Sequence, residues 1–87
     1  MLKEIKVFIP EYKKDNRFEY IWEDNFEIKI QDDDECVRIL ANKDGLLSLA
    51  NHLINLAQDD FEIGYHLHYD EYNSLEDGSK ELIIEKI

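Results

Sequence analysis

Residues 42–57 read NKDGLLSLANHLINLA, and this stretch decides the class of fold. Asn42 offers the side-chain oxygen of a helix N-cap, and Asp44 falls in the first turn, where the positive end of the helix dipole favours a carboxylate. From there Leu46, Leu47, Leu49, Ala50, Leu53, Ile54, Leu56 and Ala57 recur at helical spacing. At about 100° per residue they fill one half of the wheel, wider than the apolar stripe of a typical surface helix, so this half is expected to face the core. The other half carries Ser48, Asn51, His52, Asn55 and Gln58, none of them charged. Asp59 and Asp60 close the helix, where two carboxylates oppose the dipole by about 0.3–1 kcal/mol each at an exposed end.

On both sides of this helix the apolar period changes to two. Ile5, Val7 and Ile9 predict a strand over 2–9 that Pro10 ends, since proline cannot donate to a ladder. A polar loop from Tyr12 to Asn16 follows, with Lys13, Lys14 and Arg17 as the basic cluster of the chain. Phe18, Tyr20 and Trp22 alternate in a second strand, and a tight turn at Glu23, Asp24 and Asn25 leads to Phe26, Ile28 and Ile30 in a third. Asp32, Asp33, Asp34 and Glu35 form a hairpin loop into Val37, Ile39 and Ala41. Beyond the helix, residues 62–70 place Ile63, Tyr65, Leu67 and Tyr69 on one face and Gly64, His66, His68 and Asp70 on the other. An Asp77-Gly78 turn then leads to a last strand at Leu82, Ile83 and Ile84. The order ββββαββ predicts a single α+β domain over 1–87, with a mixed, mostly antiparallel sheet of about six strands and one helix packed on one face. The strands flanking the helix point the same way, and if they share a sheet the crossover is right-handed.

With 87 residues, 44% hydrophobic and 36% charged, the chain suits one small core and leaves no room for a large-cofactor pocket. Its 21 acidic against 10 basic side chains give a formal charge of −11, a field that repels phosphate backbones and anionic lipid heads. Neither nucleic acid nor membrane is an expected partner. The same field speeds association with a basic protein, and basic proteins that handle nucleic acid, such as nucleases, are the candidates. Cys36 is the only cysteine, which excludes an intrachain disulfide and fits a reducing compartment. The first residues lack a signal peptide's apolar run and no stretch is long enough to span a bilayer, so a cytoplasmic location is expected.

The sharpest chemical constellation is His66, His68 and Asp70. Positions i, i+2 and i+4 of a strand project from one face, where two imidazoles and a carboxylate could share Zn²⁺ or Fe²⁺. The competing reading is a polar row on a sheet face. A hydrolase lacks a nucleophile here, because the three serines (Ser48, Ser74, Ser79) have no Gly-rich elbow and there is no threonine. Carboxylates precede Cys36, which raises rather than lowers a thiol pKa. The Asp32–Glu35 run lacks the glycine and distal glutamate of a calcium loop, and no P-loop or dinucleotide fingerprint occurs. No cofactor is expected.

One resemblance covers the C-terminal half. The run Asn42, Gly45, Leu49, Ala50, Leu53, Leu56, Ala57, then His66, His68, Asp70, then Leu75, Gly78, Ser79, Glu81, Leu82 resembles the bacterial immunity protein 32 family. Tyr69 stands where the pattern has leucine, and the first 41 residues carry no match. The resemblance implies a non-catalytic α+β protein encoded beside a polymorphic toxin and bound to it. A small metal-dependent enzyme built on His66, His68 and Asp70, or a structural domain that only self-associates, are the alternatives. Physics rather than resemblance selects the expected contact residues. Asp32, Asp33, Asp34, Glu35, Asp59 and Asp60 would steer a basic partner. Ser48, Asn51, His52 and Asn55, polar but uncharged, suit a surface that becomes covered, either by the toxin or in a homodimer across antiparallel helices.

Overall fold

The computed structural model describes residues 1–15 and 17–87, in the order β1 (Ile28–Asp32), β2 (Val37–Ala41), α1 (Lys43–Leu56), β3 (His66–Tyr69) and β4 (Leu82–Glu85). The α+β class and the single helix hold, whereas the six-stranded mixed sheet does not. Among the described residues there are four strands in two separate antiparallel pairs, β1–β2 and β3–β4. The strands that flank α1 therefore sit in different pairs, and no parallel crossover joins them.

The β1–β2 hairpin pairs Ile28 with Ala41 and Ile30 with Ile39, so these four side chains share one face. Ile28 and Ile30 are buried in the core. The outer edge of β1 is closed by the segment before β4: the Glu76 N–H donates to the Ile28 carbonyl and the Lys80 N–H to that of Ile30, each at 2.9 Å, while Ser79 Oγ accepts from the Ile30 N–H at 3.1 Å. Gly78 makes this path possible with φ +86°, a left-handed conformation that L side chains rarely adopt.

The expected strands over 2–9 and 18–22 are absent as ladder partners. Their alternation is nevertheless real at the second of them: Phe18 is buried and Tyr20 and Trp22 half-buried, while Glu19 and Ile21 are exposed. The segment runs extended, and its backbone finds partners other than a neighbouring strand. Residues 1–8 are exposed throughout. The core joins Phe18, Ile28, Ile30, Leu49, Leu56, Phe61, Leu67, Tyr69 and Leu75, with Tyr20, Trp22 and Phe26 packed against it.

Helix α1 starts as expected: Asn42 is its N-cap, and its side chain accepts the Gly45 N–H at 2.8 Å. Gly45 is required by packing, since a Cβ there would lie 2.5 Å from the Glu27 carbonyl oxygen and 2.9 Å from Ile28 Cγ1. At the other end Lys86 reaches back and donates from Nζ to the Gln58 carbonyl at 2.6 Å. That ammonium supplies the positive charge which Asp59 and Asp60 fail to give the helix's negative pole.

Candidate partner-binding surface

The helix is turned over relative to its hydrophobic pattern. Leu46, Leu47, Leu53 and Ile54 are 44–56% exposed, whereas Ser48, His52 and Asn55 are no more than 1% exposed. Asn51 is buried as well. The expectation that the whole apolar half of the wheel faces the core is thus corrected: only Leu49 and Leu56 of that half are buried, together with Gly45.

The buried polar residues are occupied within the monomer. Ser48 Oγ accepts the Glu23 N–H at 2.9 Å, His52 Nε2 donates to the Ile21 carbonyl at 2.9 Å, and Asn55 Nδ2 donates to the Glu19 carbonyl at 3.2 Å. Successive partners on α1 are four and three residues apart, about 4.5–6 Å along the axis, and those on the extended segment are two apart, about 6.6 Å. A row of side chains on one helical stripe can therefore serve an extended backbone much as a neighbouring strand would. The row continues with Asn51 Nδ2 on the Phe8 carbonyl at 2.9 Å and Gln58, which donates to the Pro10 carbonyl at 2.9 Å and accepts the Tyr12 N–H at 3.0 Å. Uncharged polar groups are needed because they become desolvated. The covering partner expected for Ser48, Asn51, His52 and Asn55 is the chain's own N-terminal segment, so this face is not open to a homodimer. Asn51 Oδ1 alone among the described buried side-chain atoms has no hydrogen-bond partner.

His52 is the centre of this arrangement. Because Nε2 donates to a carbonyl, Nδ1 must accept, and it takes the Tyr69 hydroxyl proton at 2.9 Å. Burial pushes the imidazole pKa below its ordinary value, against the opposing pull of the Ile21 carbonyl. Burial raises the Tyr69 phenol, with the Tyr20 phenol adding to the effect. Both residues are held neutral, and Trp22 and Tyr20 close edge-to-face around the imidazole.

The metal constellation of the sequence does not assemble. His66 and His68 are exposed on β3 with ring centroids 4.8 Å apart. Asp70 turns away to organise its own loop, its Oδ1 accepting the N–H groups of Tyr72 at 2.9 Å and Asn73 at 3.0 Å. Among the described residues no three His, Cys, Asp or Glu side chains converge on a point that could hold a metal ion.

The acidic residues remain on the surface. Asp32, Asp33, Asp34 and Glu35 are all exposed at the tip of the β1–β2 hairpin, and Asp59 and Asp60 are exposed beyond α1. Two of the four at the tip build the turn. Asp32 Oδ1 accepts the Asp34 N–H at 3.1 Å, which holds Asp34 at φ +72°. Asp33 accepts the Cys36 N–H at 3.1 Å and lies 3.5 Å from Arg38 Nε. The Cys36 N–H and thiol, in that order, hold the Asp33 carboxyl below its usual pKa. The carboxylates of Asp34 and Glu35 have no hydrogen-bond partner among the described residues and face solvent.

Sequence reasoning missed the counterpart of the buried polar row: a stripe of exposed aliphatic side chains along α1, and beside it β2, where Val37, Ile39 and Leu40 are 63%, 52% and 44% exposed. The absence of any charge at Ser48, Asn51, His52, Asn55 and Gln58 was the signal available for it.

What the chain presents is a set of exposed charged and apolar surfaces on a small core. Residues 37–87, more than half of the chain, match the family model of immunity protein 32, and the chain belongs to that family. No curated protein and no solved structure matched. The match begins at β2 and contains Ser48, Asn51, His52, Asn55 and Gln58, which hold the N-terminal segment, while that segment lies outside it. No helix of the described residues is long and apolar enough to cross a membrane.

Proposed function

We propose that this chain is an immunity protein that binds a cognate bacterial toxin and neutralises it through an acidic surface, with no chemistry of its own. Family membership supports the class, and the observation that carries the surface is the hairpin tip. Asp32 and Asp33 shape it, and Asp34 and Glu35 are left projecting on a chain of net charge −11. Such a tip raises the encounter rate with a basic partner, and a nuclease toxin, basic because it must approach phosphate, fits it. Asp59 and Asp60 add to the same field. The proposed site of action of this chain is the cytoplasm, which its single cysteine fits.

The proposed cognate toxin supplies the assay. Association of the purified pair is followed by stopped flow over a range of salt. The double variant Asp34→Asn, Glu35→Gln should slow association and flatten its salt dependence while leaving the turn intact, because neither carboxylate shapes it. An on-rate unchanged at low salt removes the hairpin tip from the encounter.

A further inference from the structure

In the β1–β2 ladder the Asn42 N–H donates to the Glu27 carbonyl and the Asp33 N–H to that of Cys36, so the pairs 27/42, 29/40, 31/38 and 33/36 are the hydrogen-bonded ones. Residues between them point their backbone groups outward. On β1 these are Ile28 and Ile30, whose carbonyls are taken by Glu76 and Lys80. On β2 they are Val37, Ile39 and Ala41, and among the described residues nothing meets them. β2 is an open edge of five residues with three exposed aliphatic side chains and a single charge, Arg38. Open edges of this kind are normally blunted by charge, proline or a bulge, and β2 has none of the last two.

The exposed stripe of α1 lies next in the chain, separated from β2 only by Asn42. Leu46, Leu47, Ala50, Leu53, Ile54 and Ala57 fall within about 120° of the wheel, an arc in which the one polar residue of the helix is Lys43 in its first turn. With Val37 and Ile39, which project from the same face of β2, this gives six large aliphatic side chains, each 44–63% exposed, while Leu40 projects from the opposite face. They amount to several hundred Å², the size at which an exposed patch marks an interaction site. It is also a large part of the roughly 800 Å² per partner that a stable complex covers.

We infer that this surface is the interface with a second copy of the chain, formed by antiparallel pairing of β2 with β2 about a twofold axis at Ile39. Three observations select a copy over another occupant. The outward groups are self-complementary: with Ile39 opposite itself, Val37 meets Ala41 of the other copy and all three outward residues pair. Carboxylates are absent from β2 and from the exposed stripe, on a chain with 21 of them, so two copies of net charge −11 can approach here and a basic toxin has nothing here to recognise. The same register sets Glu35 of one copy opposite Lys43 of the other, bringing the acidic hairpin tip to the positive end of the partner helix. A twofold axis normal to the sheet keeps both α1 helices on the Ile28 and Ala41 face, where Gly45 packs, and the Ile39 side chains meet on that face.

The test is sedimentation of the full chain from about 1 µM to about 1 mM, combined with cross-linking. Wild-type protein should double in mass over this range, and Ile39→Glu, which sets a carboxylate against its own copy, should remain monomeric with unchanged circular dichroism. Hydrogen-bonded antiparallel pairs stand about 5.5 Å apart at Cα, within disulfide range. In a Cys36→Ser background, Ile39→Cys should therefore oxidise to a covalent dimer in high yield, and Lys43→Cys, whose two copies lie at opposite ends of the paired strands, should not. The cysteine pair reports on register even if Ile39→Glu does not fold. A wild-type protein monomeric at about 1 mM overturns the proposal, as does equal cross-linking at positions 39 and 43. Monomeric wild type together with loss of toxin protection in Ile39→Glu would assign this edge to the toxin instead.

Discussion

Replacing His52 by leucine tests which side of α1 is inside. In the structure the imidazole makes two hydrogen bonds of 2.9 Å, to the Tyr69 hydroxyl and the Ile21 carbonyl. Leucine fills most of the same space, so the cavity contribution is small, but both partners lose their only bond to the ring. A buried polar group left unpaired costs about 1–3 kcal/mol. Tyr69 is fully buried and belongs to the upper part of that range, whereas the Ile21 carbonyl is only partly covered and belongs to the lower. The sum is roughly 3 kcal/mol. A domain of this size is stable by only about 4–13 kcal/mol, and each kcal/mol shifts Tm by about 4–8 °C, so the variant should melt some 12–24 °C below wild type. Urea unfolding followed by Trp22 fluorescence measures it, since the sole tryptophan lies edge-on to His52 at 4.6 Å between centroids. The companion variant is Leu53→Lys at low protein concentration, which should stay within about 0.5 kcal/mol of wild type because the residue is 49% exposed. If His52→Leu is neutral and Leu53→Lys costs several kcal/mol, the helix packs on its leucines and the inverted orientation is wrong.

Two further outcomes follow from the same geometry. Gly45→Ala should destabilise by about 1–2 kcal/mol in thermal melts despite a helix-propensity gain of about 1 kcal/mol, because the new methyl meets the Glu27 carbonyl oxygen at 2.5 Å; a variant as stable as wild type would show that the helix and β1 are not in that contact. Because His52 titrates below its ordinary value in the folded state, protonation favours the unfolded chain. Its stabilising effect is complete above about pH 6.5 and is lost as pH falls through the folded pKa; denaturation midpoints measured from pH 7.5 to 5 should decline in wild type and decline less in His52→Gln.

Local signals in the sequence are the ones the structure keeps. Asn42 caps, β2 runs Val37–Ala41, the Asp77-Gly78 turn forms, and His66 and His68 point out of β3 while Leu67 and Tyr69 point in. These features depend on neighbours within a few residues. The orientation of α1 does not, since it is settled by which groups the rest of the chain needs, and residues 19–23 need hydrogen-bond partners more than the core needs Leu46 and Leu53. A period of two in Phe18, Tyr20 and Trp22 likewise reports correctly which side chains turn inward, but it is blind to what lies at the backbone edge. A strand was the expected neighbour and a polar helical stripe is the actual one. The metal reading failed for a related reason: position i+4 of a strand shares a face with i only while the strand continues, and β3 ends at Tyr69, one residue before Asp70.

The distribution of charge separates the two proposed interfaces, and salt distinguishes them. The hairpin tip has its carboxylates facing solvent, so attraction to a basic toxin weakens as the Debye length shrinks from about 10 Å at 0.1 M to about 3 Å at 1 M salt. The β2 edge and the outer stripe of α1 carry no carboxylate, and what opposes two copies meeting there is the general repulsion between chains of −11. Screening relieves that repulsion and leaves the apolar contact intact, so dimerisation should strengthen with salt while toxin association slows. The two dependences are measured on one preparation, by sedimentation equilibrium and by stopped flow, from about 0.05 to 0.5 M NaCl. Opposite slopes require two separate surfaces of different chemistry. If added salt weakens both to the same degree, the dimer is held by pairing of opposite charges, such as Glu35 with Lys43, more than by the aliphatic face, and the partition of this small molecule into an acidic side and an apolar side does not describe how it assembles.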